Sequence, residues 1–182
     1  TGFNRCMSNH TNIVFAAGGT GGHMFPAIAI ASYVADASDV RPVFVGSPDR
    51  MEAKIVPQYG YEFRAIEVAG LQRKLSLKNL MLPWVLIRSV MKARKLLKEF
   101  TPVCVVGTGG YVSAPVLFAA SGRFPTAIHE QNVYPGLANR LLQHFVDRVF
   151  VSSEESVRHF VKSGKVVCTG NPVRSTLSKV DR

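Results

Sequence analysis

The stretch Phe15-Ala16-Ala17-Gly18-Gly19-Thr20-Gly21-Gly22-His23-Met24-Phe25-Pro26 decides the fold. It reads as the end of an apolar strand, a glycine-rich loop and the start of a helix. Glycines admit positive φ and let backbone N–H groups approach a ligand closely. Pro26 suits the first turn of a helix, where its missing donor is no loss. The free N–H groups and the helix dipole at such an end favour an anion. A tight turn without a ligand would need fewer than four glycines around Thr20, so the loop reads as a phosphate site. The dinucleotide pattern GxGxxG fails in every register: counted from Gly19, its last position falls on Met24. The P-loop pattern fails as well, because no Lys-Ser/Thr pair follows. His23 closes the loop. A lone histidine is more often structural than catalytic, but beside a phosphate loop at a strand's carboxyl end the two readings balance, and a neutral imidazole there could act as general base toward a sugar hydroxyl.

Working outward, short apolar runs recur at Asn12–Ala17, Arg41–Gly46, Glu62–Val68, Val103–Gly107, Thr126–His129, Arg148–Val151 and Lys165–Thr169. Helical patterns lie between most of them, at Pro26–Ala35, Arg50–Tyr59, Pro83–Glu99, Ser113–Ala120, Gly136–Phe145 and Glu154–Val161. This alternation predicts βαβ units and a parallel sheet covered on both faces. The fold class is α/β, a doubly wound, Rossmann-like sheet with ligands at the carboxyl ends of its strands.

Two more strands end in unusual loops. Gly107-Thr108-Gly109-Gly110-Tyr111-Val112-Ser113 is a second glycine loop, which could cradle a second phosphate or serve as a turn with Ser113 as N-cap. His129-Glu130-Gln131-Asn132 follows another strand; four hydrogen-bonding side chains in a row suit a hydroxyl-rich ligand or a solvated loop. No DxD pair occurs, so a carboxylate-held metal has no support, and no cofactor is expected.

The chain of 182 residues is 47% hydrophobic and 19% charged, enough for one well-cored domain and unlike a disordered segment. No apolar run reaches the roughly 18 residues of a membrane span. Three cysteines at unrelated spacings form no zinc or CxxC pattern, which points to a reducing, cytoplasmic setting. Residues 1–11 read as a leader remnant, with Met7 a candidate start.

The net charge of +10 asks for an anionic partner. Eight of the 22 basic residues fall between positions 71 and 98, with no acid among them. On the helix opening near Pro83, Leu86, Val90, Ala93 and Leu97 share a face expected to pack on the sheet. Trp84, Arg88, Lys92 and Lys95 share another, and Leu77, Leu80 and Met81 precede it. An exposed Trp with a basic stripe suits an anionic membrane surface; a solvated face with Trp84 in the core is the plain alternative. Apolar residues beside the charge favour lipid over nucleic acid.

Four motifs in order, Gly18-Gly19-Thr20-Gly21-Gly22-His23-x-Phe25-Pro26, Gly109-Gly110-Tyr111-Val112-Ser113, His129-Glu130-Gln131-Asn132 and Gly170-Asn171-Pro172-Val173-Arg174, resemble those of the MurG family across nearly the whole chain. That family comprises N-acetylglucosaminyltransferases that convert lipid I to lipid II in bacterial peptidoglycan synthesis, and hence serve wall growth, cell shape and division. The resemblance implies the amino-terminal half of a GT-B fold. Residues 12–174 would form the acceptor-binding domain and 175–182 the start of a linker to a donor domain not contained in this chain. It implies UDP-GlcNAc and lipid I as partners and a peripheral position on the cytoplasmic face of the inner membrane. Gly18, Gly19, Thr20, Gly21, Gly22, Gly109, Gly110 and Tyr111 would face the lipid-linked diphosphate. Thr20, Gly21, Gly22, Asn132 and Arg174 would reach the donor. His23 and Glu130 would be catalytic. The family's membrane patch maps to the region around Trp84. Thr108 receives no role. An atypical dinucleotide-binding oxidoreductase and a non-catalytic membrane-docking module are the alternatives.

Overall fold

A computed structural model describes residues 11–68, 82–161 and 163–173. Leu77, Leu80, Met81 and Arg174 lie outside them, as do residues 1–10 and 175–182. Among the described residues, seven strands form one parallel sheet: β1 Thr11–Ala17, β2 Val40–Gly46, β3 Glu62–Ala65, β4 Cys104–Gly109, β5 Thr126–Glu130, β6 Arg148–Val151 and β7 Val166–Cys168. Their order is β3-β2-β1-β4-β5-β6-β7. The helices are α1 Gly21–Ala37, α2 Met51–Ile55 with a 3₁₀ turn over Val56–Tyr59, α3 Leu82–Phe100, α4 Ser113–Ala120, α5 Leu137–Leu142 and α6 Glu154–Val157.

Successive residues of a strand face opposite sides of the sheet, and β1 fills both layers. Phe15 and Ala17 pack with Met24, Ala27, Ile28 and Phe44 under α1. Val14 and Ala16 pack with Ala93, Leu97, Val116, Leu117 and Leu142 under α3, α4 and α5. The strand order reverses between β1 and β4, and such a switch point opens a crevice at the carboxyl ends of the strands. Both glycine loops leave the sheet there.

Several boundaries differ from the sequence reading. Helix α1 begins at Gly21, so Pro26 sits in its second turn and not its first. Gly21 and Gly22 are weak helix formers, which hid the true start. The residue four before Pro26 is Gly22, so the carbonyl deprived of a donor belongs to a residue whose backbone is open to solvent. Strand β3 stops at Ala65, although Ile66 still donates to the Gly46 carbonyl at 2.9 Å.

Ser113 is the first residue of α4 and not its N-cap. Its hydroxyl, fully buried, is shared between the carbonyls of Ala16 and Gly109, each at 2.7 Å, and accepts the Gly109 N–H at 3.1 Å. It fastens β4 to β1 beside a register shift. Ala16 pairs with Gly107 but Ala17 pairs with Gly109, so Thr108 is an extra residue in the β4 ladder.

Helix α3 is longer than the strands beside it, about 28 Å against about 20 Å for β4. Ser89 and Lys92 lie level with Glu67, just past the end of β3: Ser89 Oγ donates to the Glu67 carbonyl and Lys92 pairs with the Glu67 carboxylate, both at 2.8 Å. Residues before Ser89 therefore overhang the carboxyl edge. Ala93 and Leu97 are buried as expected of the packing face and Val90 is partly buried, but Leu86 is 44% exposed because the sheet ends before it. Trp84 is 68% exposed and not in the core; Ile87 and Met91 are exposed on its side of the helix.

Ser113→Ala should destabilise the domain by about 1–3 kcal/mol, since the buried Gly109 N–H loses its partner. Urea unfolding checks this as a lower midpoint at unchanged slope.

Candidate functional site

The site is assembled at the β1/β4 switch point. Thr20 is the N-cap of α1 by backbone conformation, yet its hydroxyl makes no capping bond. Hydrogen bonds of the first turn begin with His23 and Met24 donating to the Thr20 carbonyl, each at 3.2 Å. The N–H groups of Gly21 and Gly22 precede them and point out of the helix end. No acidic residue stands in this first turn. Gly19, at φ +89°, makes the sharp turn out of β1.

The second loop lies against the first. Gly110, at φ +84°, packs directly on the Gly18 carbonyl, leaving no room for a side chain. Gly109 lies equally close to the His23 ring. These glycines let two backbones and an imidazole meet. Tyr111 stands 54% exposed at the rim.

A residue missed by sequence reasoning holds the first loop from below. Glu52, in the first turn of α2, is buried, and its carboxylate accepts Gly19 N–H at 3.2 Å and Ser47 N–H at 3.0 Å. Nothing in the local sequence distinguishes it from a solvated first-turn acid.

Thr108, the bulge residue, is the second one missed. Its hydroxyl donates to the His23 carbonyl at 2.6 Å. Its own carbonyl receives His23 Nδ1 and Gln131 Nε2, each at 3.0 Å. A carbonyl can only accept, so the His23 proton sits on Nδ1 and Nε2 carries the lone pair. Among the described residues His23 Nε2 has no hydrogen-bond partner.

The His129-Glu130-Gln131-Asn132 segment follows β5. Glu130 is buried, with both carboxylate oxygens engaged. One accepts Asn132 N–H at 3.0 Å and Asn132 Nδ2 at 2.9 Å; the other accepts Gly136 N–H at 3.0 Å and Asn139 Nδ2 at 2.9 Å. It braces the loop between β5 and α5. His129 is buried, with Nε2 at 3.2 Å from the Gly170 carbonyl. Burial pushes its pKa below the ordinary 6.5, against the opposing pull of that carbonyl and of the Glu130 charge.

A cleft of about 460 Å³ runs between the start of α1 and the segment after β7. Gly21, Gly22, Phe25 and Pro26 line one wall; Asn171, Pro172 and Val173 line the other. A larger hollow of about 780 Å³, near Arg41 and Glu62, lies at the opposite, amino-terminal ends of β2 and β3, away from both loops. The structure thus brings Gly18–His23, Gly109, Gly110 and Gln131 together, with Asn132 one residue beyond.

Residues 13–151 match the family model described as the glycosyltransferase family 28 N-terminal domain. The chain belongs to this family. A protein of Caldanaerobacter subterraneus subsp. tengcongensis is 50% identical over 171 residues, 93% of this chain and 47% of the relative. One from Acetivibrio thermocellus is 43% identical over 172 residues, with the same shares covered. Both are named UDP-N-acetylglucosamine–N-acetylmuramyl-(pentapeptide) pyrophosphoryl-undecaprenol N-acetylglucosamine transferase. The chain spans about half the length of the curated relatives it matches. The crystal structure of Acinetobacter baumannii MurG superposes with a TM-score of 0.74 at 27% identity, over 93% of this chain and 47% of that one. A UDP-GlcNAc 2-epimerase from Neisseria meningitidis, at 15% identity, TM-score 0.66 and 88% of this chain against 46% of its own, shares the fold.

The sign of the His129 shift makes a prediction. The unfolded ring takes up a proton below pH 6.5, while the native ring resists it, so stability is full above that value and is lost as pH falls. Tm should fall between pH 7 and pH 5, with a smaller slope in His129→Gln; calorimetry across that window is the check.

Proposed function

We propose that this chain is the acceptor-binding domain of an inverting glycosyltransferase. The full enzyme would move N-acetylglucosamine from UDP-GlcNAc to the 4-hydroxyl of N-acetylmuramic acid in lipid I, giving lipid II for peptidoglycan. Identity of 43–50% to transferases named for that chemistry supports the reading. The observation that carries it is His23: an imidazole with a bare Nε2 beside the open end of a helix, at the switch point of the sheet.

In this reading the lipid-linked diphosphate docks on the N–H groups of Gly21 and Gly22 and the Thr20 hydroxyl. Gly19 contributes shape, because its N–H is already given to Glu52. Gly18, Gly109 and Gly110 serve likewise by close packing, and Tyr111 borders the acceptor. Helix dipole and free N–H groups offset the phosphate charge. The acceptor oxygen attacks the anomeric carbon from the face opposite UDP, its proton passes to His23 Nε2, and UDP leaves. Glu130 acts by holding the loop and not by proton transfer, since four donors occupy its oxygens. Thr20, Gly21 and Gly22 also meet the donor when the cleft closes, with Asn132 and Arg174 on the donor side. Residues 12–174 act as one domain, and the donor half follows them in the complete protein.

The test is a chimera joining this chain to the second half of the Caldanaerobacter relative, assayed for transfer from labelled UDP-GlcNAc to a lipid I analogue. Transfer should occur, and His23→Ala should lower kcat about 100-fold or more. An active chimera indifferent to His23→Ala, in rate and in pH profile, would end the general-base assignment.

The overhanging end of α3 supports a second contact, with the cytoplasmic face of the anionic inner membrane. Trp84 and Ile87 in the overhang, with Met91 further along the same face, present apolar surface beside Arg88 and Lys95, on the edge where a lipid-borne acceptor has to arrive. Lys92 is partly tied to Glu67, a pairing that also holds the Glu67 pKa down. Leu77, Leu80 and Met81 would extend the patch. Trp84→Ala with Arg88→Ala should weaken binding to phosphatidylglycerol vesicles about tenfold, with binding also lost at high salt. Unchanged sedimentation with vesicles would retire the membrane reading.

A further inference from the structure

One chain of hydrogen bonds near the site has no part in the mechanism above. It begins at the Gly170 carbonyl, which lies 3.2 Å from His129 Nε2. A carbonyl only accepts, so His129 carries its proton on Nε2 and offers a lone pair at Nδ1. Gln131 Nε2 meets that lone pair at 3.2 Å and also donates to the Thr108 carbonyl at 3.0 Å. With its NH₂ group so committed, Gln131 turns Oε1 toward His23 Nδ1, at 3.3 Å. An amide oxygen also only accepts, so His23 must donate from Nδ1. Every link donates in one consistent direction, from His23 to Gly170.

We propose that Gln131 and His129 are positioning residues that fix the orientation and tautomer of His23, so that Nε2 is presented bare to the acceptor hydroxyl. The reading rests on the role given to His23 above. Two carbonyls far apart in the chain, Thr108 in β4 and Gly170 just past β7, dictate the same answer, one directly and one through two side chains. The chain cannot pass a proton onward: an amide does not shuttle protons, and His129, 1% exposed, is disfavoured as a cation by its burial. Its role is geometric. Its far end is also informative. Gly170, at φ +78°, turns the chain from β7 toward Asn171–Val173, the wall of the cleft facing Gly21 and Gly22. The base is thereby held by the same segment that shapes the cleft.

The experiment uses the chain itself, with ¹⁵N-labelled histidine, and reads the protonated ring nitrogen of His23 and His129 by NMR. The expected result is a proton on Nδ1 of His23 and on Nε2 of His129. Gln131→Met keeps side-chain length but removes both polar groups; with the Thr108 carbonyl left as the one acceptor for Nδ1, the Nε2-protonated tautomer of His23 should gain population. In the transfer chimera the same variant should lose about 10- to 100-fold in kcat, with the KM for UDP-GlcNAc unchanged. Gln131→Glu reverses one link, so His129 should gain a proton on Nδ1; this arm holds even if the methionine variant folds poorly. A native His23 protonated on Nε2, an unmoved tautomer in Gln131→Met, or a bare His129 Nδ1 in Gln131→Glu would each overturn the assignment. Nitrogen signatures as expected in a chimera that transfers nothing would uphold the hydrogen-bond chain and sink the transferase reading instead.

Discussion

Between Gly107 and Gly109, strand β4 carries one residue more than the neighbouring stretch of β1, and that residue is Thr108. In a regular parallel ladder its carbonyl and N–H would bond along the sheet. The bulge frees the carbonyl to meet His23 and Gln131 and sets the hydroxyl against the His23 backbone. The glycines on either side are then obligatory for space. A side chain on Gly107 would meet Leu117 at 2.6 Å, and one on Gly109 would strike the His23 ring. Ser113 closes the arrangement by bonding both strands from α4. The position of the histidine thus descends from one extra residue in a strand, because a buried carbonyl requires donors and His23 Nδ1 is one of the two within reach, each at 3.0 Å.

The first glycine loop is constrained from another side. An unscreened carboxylate beneath a loop proposed to receive an anion looks self-defeating, yet Glu52 is spent on two backbone N–H groups, Gly19 and Ser47. It fixes where β1 and β2 end relative to each other, and leaves the Gly21 and Gly22 N–H groups for a ligand. Separating the donors this way makes one part of the loop structural and the other receptive. Two glycine pairs around Thr20 do not reveal that division, because it depends on an acid 33 positions away.

What the sequence disclosed follows the range of the interactions. The parallel sheet, all seven strands and the two glycine loops could be read because each rests on local hydrophobic period and turn chemistry. The start of α1 was misplaced, since Pro26 is a strong local signal and two glycines a weak one; tertiary support from the β4 loop overrode both. Thr108 receives no role from the sequence because a bulge is a property of a strand pair, not of a strand. Gln131 and His129 were visible only as members of a polar run. Their pairing with Thr108 and Gly170 spans 23 and 41 positions, beyond any periodic pattern. Glu130 is a member of a polar run in sequence, and only the family resemblance implies a catalytic role for it; in the fold four donors surround it. Only the fold distinguishes a carboxylate with free lone pairs from one without.

The same distinction governs α3. A helical projection places Leu86 with Ala93 and Leu97, and on that face they are equivalent. Their burial differs because a projection has no axis: it cannot register where the sheet beneath the helix ends. Glu67 marks that end, through Ser89 and Lys92. Beyond it the helix has no sheet to cover, so apolar residues on any face emerge, and Trp84, Leu86 and Ile87 all do. Because a parallel βαβ unit starts its helix at the carboxyl edge, the overhang falls on the side where the glycine loops open. A lipid-linked substrate would need its apolar anchor and its phosphate received on one edge of the protein. A long crossover helix over a short strand provides that arrangement with no element added to the fold.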